Sequence, residues 1–74
     1  MPSLFIMLQR DRRIRDAIRD LRDDQRMAHI RQAIADRDRI TVNAVIHGPS
    51  YKSGLSDSQH EAVKRLAAAA DAVD

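Results

Sequence analysis

The sequence predicts an all-α fold: a small helical domain of four to five helices containing a helix-turn-helix. Three observations carry that expectation. Apolar residues recur at helical spacing in three separate segments and nowhere alternate cleanly. Glycine and proline are scarce, and Gly48, Pro49 and Gly54 cluster in one place. Ser56 with Gln59 three residues on forms a capping box, the best helix start in the chain. At 74 residues the chain reads as one domain, 1–74. So short a chain buries only about 60% of its unfolded surface, and without cysteine no disulfide supplements the core. A second copy of the chain is therefore expected to complete it, as a homodimer.

Residues 1–9 hold the apolar run "LFIML", which Ser3 can cap as a helix start. Leu4, Phe5, Met7 and Leu8 are the candidate dimer contacts, because such a run needs burial somewhere. In "RDRRIRDAIRDLRDD", Ile14, Ala17, Ile18 and Leu21 make one apolar stripe. Its other faces carry pairs such as Arg12 with Asp16 and Asp11 with Arg15, each contributing a few tenths of a kcal/mol. Asp23 and Asp24 can cap a second helix whose stripe is Met27, Ile30, Ala33 and Ile34. No Gly or Pro forces a break before it, so one long helix over 4–38 is the structural alternative.

Thr41 is the expected N-cap of the next helix, with Val42, Val45 and Ile46 on one face. Its β-branched residues leave a strand open as the alternative. "GPSYKSGLS" reads as a loop. The last helix follows Ser56, with Ala62, Val63, Leu66, Ala69, Ala70 and Val73 as its stripe.

Chemistry is sparse. The three histidines stand on different elements with no zinc-ligand spacing, and the two glycines make no phosphate-cradling loop. No enzyme activity, metal, cofactor or small-molecule substrate is expected. The longest apolar run is five residues, where a membrane span needs about twenty. It also lacks the features of a signal peptide. No membrane partner is expected, and the expected location is cytoplasmic. Charge is dense and nearly balanced, thirteen basic against eleven acidic groups, so any basic face must come from local placement. The excess lies in residues 1–39, where ten arginines meet seven aspartates.

The segment "DRITVNAVIHG", with Ile34 and Ala35 before it and "SDSQHEAVKRLAAAADAV" after it, resembles the helix-turn-helix of small phage-type (Cro/repressor-like) regulators. The resemblance covers about residues 27–73. It places Ile40 at the turn, Val45 in the second helix and "IHG" at its end. It departs from the family where a turn glycine is replaced by Arg39 and the preceding apolar residue by Asp38. The resemblance implies a sequence-specific DNA-binding transcriptional regulator, of phage or plasmid type, reading double-stranded DNA through the major groove with the helix around 41–47. Thr41, Asn43 and His47 would then meet bases, and Arg37, Arg39, Ser50, Tyr51 and Lys52 phosphates. Each has a plainer role available: Asn43 bonding the turn, His47 capping the helix end, Tyr51 lying over the core. The other function consistent with the Arg/Asp mosaic is a protein-binding helical module, an inhibitor or adaptor of a host protein.

Overall fold

The computed structural model describes residues 4–73, with side chains from residue 6 onward. Four α-helices and one short 3₁₀ turn make up the fold, in the order α1 Leu4–Arg19, α2 Asp23–Ala35, α3 Arg39–Ile46, the 3₁₀ turn Ser50–Ser53, and α4 Asp57–Val73. No strand occurs among the described residues. The expected all-α architecture is therefore what the chain adopts.

The core draws one side chain from every part of the chain. Ile18 of α1, Ile30 of α2, Val45 of α3, Leu55 before α4 and Val63 of α4 form one buried cluster. Ala33, Val42 and Ala67 form a second, with Ile34 and Ile46 bridging the two. The center of the arrangement is α3, which packs against α1, α2, α4 and the 3₁₀ turn. Its β-branched residues are poor helix formers in isolation. Burial of Val42, Ala44 and Val45 outweighs that preference, so the strand alternative is not taken.

The chain breaks between α1 and α2 at Asp20–Arg22, so the single long helix does not form. Arg26 holds the corner. Its guanidinium donates to the Arg19 carbonyl at 2.8 and 3.2 Å, at the end of α1, and pairs with Asp23. It also reaches the Gly54 carbonyl at 3.4 Å. Gly54 has φ +73°, and a Cβ there would lie 2.8 Å from the Arg26 Nε. A glycine is thus needed both for the left-handed backbone and for the approach of the arginine. The α2 cap differs from expectation: Arg22 occupies that position without a side-chain bond, and Asp23 and Asp24 sit in the first turn. There their charges favour the helix dipole.

The capping box of α4 forms as expected. The Gln59 N–H donates to the Ser56 Oγ at 3.1 Å, and the Ser56 N–H to the Gln59 Oε1 at 3.0 Å. The α4 stripe is rotated from the expected one. His60, Val63 and Ala67 are buried, whereas Leu66, Ala69 and Val73 are exposed. A polar side chain, His60, occupies the core-facing position, where its Nε2 lies 3.1 Å from the Val45 carbonyl. The Gly/Pro/Ser-rich loop is partly ordered as the 3₁₀ turn.

The pair Arg12–Asp16 forms at 4.0 Å. Arg15 does not pair with Asp11; it turns inward to α3 and donates to the Ala44 carbonyl at 3.2 Å. Of the candidate dimer contacts, Met7 and Leu8 are exposed on the first turns of α1. The Leu4 and Phe5 side chains lie outside the described residues.

Candidate nucleic-acid interface

The site is built on the turn between α2 and α3. The turn closes as a Schellman motif: the Arg37 N–H donates to the Ile34 carbonyl at 3.2 Å and the Asp38 N–H to the Ala33 carbonyl at 2.9 Å. The left-handed residue of that motif is Arg37, φ 59°. The resemblance puts the missing turn glycine at Arg39, two residues beyond this left-handed position. Arg39 is instead the first residue of α3. A non-glycine in this region carries a penalty of about 1 kcal/mol. Arg37→Gly and Arg37→Ala both remove the guanidinium, and only the alanine keeps the penalty. Chemical denaturation is expected to find the glycine variant about 1 kcal/mol more stable than the alanine variant. Equal stability would mean that the turn relaxes out of the left-handed region.

Thr41 was the expected cap, but Asp38 takes that place. Its carboxylate accepts from the Thr41 hydroxyl at 2.6 Å and from the Thr41 N–H at 3.2 Å. These two bonds hold the Asp38 carboxyl below its ordinary pKa. The helix therefore begins at Arg39, and this fixes which residues share its outer face. At about 100° per residue, Arg39, Ile40, Asn43 and His47 fall within an arc of about 100°, and all four are exposed. Thr41 lies about 160° from Asn43 by the same geometry, and its hydroxyl is bonded to Asp38. The structure thus brings Asn43 and His47 together and leaves Thr41 on another side. Ile40, which the resemblance placed in the turn, joins the face. That Ile40 lies within the helix follows from the position of the true cap, Asp38, three residues before the expected Thr41.

The end of α3 is held from two sides. The Asn43 carbonyl accepts from the His47 N–H at 2.9 Å. The Ala44 carbonyl accepts from Arg15, and the Val45 carbonyl lies 3.1 Å from the buried His60 Nε2. A carbonyl only accepts, so that nitrogen carries the proton. The bonds from Arg15 and His60 satisfy two of the carbonyls that a helix terminus leaves open. They tie the exposed face to α1 and α4.

The candidate phosphate contacts divide between the two ends of α3. At its start, Arg37 donates to the Ala70 carbonyl of α4 at 3.0 Å, and Arg39 pairs with Asp71 at 3.5 Å. Together with Asp38 and Asn43 they rim a cleft of about 80 Å³ floored by Val42, Ile46 and Ala67. Beyond the end of α3, Tyr51 and Lys52 are exposed on the 3₁₀ turn. Ser50 donates its hydroxyl to Asp57 at 2.7 Å. Carboxylates therefore accompany the basic groups at the start of α3 and the Ser50 hydroxyl beyond its end. No group of three or more potential metal ligands occurs among the described residues. No described helix is long and apolar enough to cross a membrane.

No family model, curated protein or solved structure matches this chain.

Proposed function

We propose that the protein is a DNA-binding regulator that reads the major groove with α3. The observation that carries the reading is the exposed face of Asn43, His47 and Ile40 on a short helix that follows a tight turn and is braced from behind. A helix with its side chains is about 10–12 Å across, which the major groove admits. Asn43 is suited to pair bidentately with adenine, and Ile40 to lie against a thymine methyl. Arg37 and Arg39 flank one end of the helix, Tyr51 and Lys52 the other. The Arg39–Asp71 pair is mostly exposed on both sides, and pairs of that kind contribute little, so a phosphate can compete for the arginine.

The test is fluorescence anisotropy against labelled DNA from the surroundings of the protein's own gene, across a salt series. Asn43→Ala is expected to weaken binding to the preferred fragment by roughly tenfold or more. Arg39→Ala is expected to weaken binding to all fragments alike and flatten the salt slope. Absence of binding at low salt would overturn the reading, as would an Asn43→Ala protein indistinguishable from the native one.

A second reading is favoured by one observation. Asp38 and Asp71 stand beside Arg37 and Arg39 at the start of the face. Alternating charge around an exposed isoleucine suits a protein surface of complementary pattern. In that case the same face binds a host protein, and Ile40→Asp abolishes the complex while DNA binding is never seen.

A further inference from the structure

The tip of α1 is exposed over residues 6–10, and burial begins only at Asp11 and Ile14. Ile6, Met7 and Leu8 are 56%, 40% and 57% exposed. Successive helical residues point about 100° apart, so Ile6, Met7 and Leu8 span an arc of about 200° at this tip, with Gln9 on the remaining side. That arc is wider than the stripe of about 100° by which a helix meets a single flat neighbour, and suits an apolar surrounding.

The next turn is basic. Among residues 6–15, four arginines meet one aspartate. Arg10, Arg12 and Arg13 are exposed, and the pairs Arg10–Asp11 and Arg12–Asp16 are long surface contacts at 3.8 and 4.0 Å. Such pairs do little to neutralise the collar. Met7 and Arg12 are about 8 Å apart along the helix axis. That offset is comparable to the depth of about 5–10 Å at which interfacial helices place their apolar residues below the headgroups.

We propose that this tip and its collar dock on an anionic lipid surface, with Ile6, Met7 and Leu8 entering the acyl boundary and Arg10, Arg12 and Arg13 meeting the phosphates. A second copy of the chain is the occupant that so short a chain without disulfides suggests. Pairing two tips side by side would cover one face of each. It would also bring like-charged collars near one another with no carboxylate in the tip to receive them. Lipid meets both features at once, without requiring a membrane span.

The experiment is flotation of the full chain with phosphatidylcholine vesicles containing phosphatidylglycerol, and with vesicles of phosphatidylcholine alone. Binding is expected to be at least about tenfold stronger to the anionic vesicles, since each basic residue near such a surface strengthens it by roughly fivefold. The double variant Ile6→Asp, Leu8→Asp is expected to lose vesicle binding while keeping its helical circular dichroism, because both positions are exposed. The pair Arg12→Glu, Arg13→Glu keeps the apolar tip and is expected to lose the preference for anionic lipid. The proposal is overturned if the native chain ignores both vesicle types or if the variants bind as it does. It is overturned also if sedimentation shows a dimer that the tip variants dissociate while no vesicles are bound. None of these outcomes bears on Asn43, so the DNA reading stands or falls separately.

Discussion

His60→Ala is expected to lower stability by about 2–4 kcal/mol. The imidazole is buried on α4 and meets the Val45 carbonyl in the last turn of α3. Truncation does two things at once. It leaves a buried acceptor without a donor, which costs about 1–3 kcal/mol, and it opens a hollow beside Val45 and Val63, the center of the main cluster. Two further variants separate these terms. His60→Leu fills space but leaves the carbonyl unpaired, whereas His60→Gln supplies a donor on a side chain of similar reach. Urea denaturation is expected to rank stability as native, then Gln, then Leu, then Ala, with the slope of the transition unchanged. If alanine were as stable as the native residue, the bond would not hold the end of α3. Because marginal stability is the rule for chains of this size, the alanine variant should also be depleted in cells.

This bond marks where sequence reasoning stops. The capping box at Ser56 and Gln59 was legible because both partners lie within one turn. The stripes of α1 and α2 were legible in part, through Ile18, Ile30 and Ala33. The polar contacts that hold the fold were not, because they join residues far apart in the chain. His60 reaches back fifteen positions to Val45, and Arg15 forward twenty-nine to Ala44. Nothing local distinguishes Arg15 from Arg12, which stays at the surface. The turn shows the same limit in another form. A glycine at position 37 would have announced a left-handed residue, and arginine does not. The outer face of α3 then followed the cap: with Asp38 in that role, Ile40 comes to the surface beside Asn43, and Thr41 leaves it. Placing the cap at Thr41 thus leaves Ile40 off the exposed face and puts Thr41 on it.

Arg26→Ala is expected to cost about 2–3 kcal/mol, in the range of hydrogen bonds made by charged groups. Its side chain is only 18% exposed, and one guanidinium serves three places: the end of α1, the start of α2 and the residue after the 3₁₀ turn. The planar fork matters more than the charge. Arg26→Lys is therefore expected to recover less than half of the loss, because one ammonium cannot reproduce the same set of directions. Asp23→Ala should cost less than about 1 kcal/mol, because the Asp23 side chain is almost fully exposed. A lysine variant as stable as the native protein would show that Asp23 alone accounts for the arginine. The expected order instead makes Arg26 the joint that sets α1 against the turn carrying Tyr51 and Lys52. It also revises what the basic N-terminal half means. Arg15 and Arg26 spend their donors on backbone carbonyls inside the fold, so the charge able to meet a phosphate is smaller than the residue count suggests. The exposed basic side chains lie on all four helices, with Arg31 on α2 and Lys64 and Arg65 on α4 besides those at the two ends of α3 and in the collar of α1.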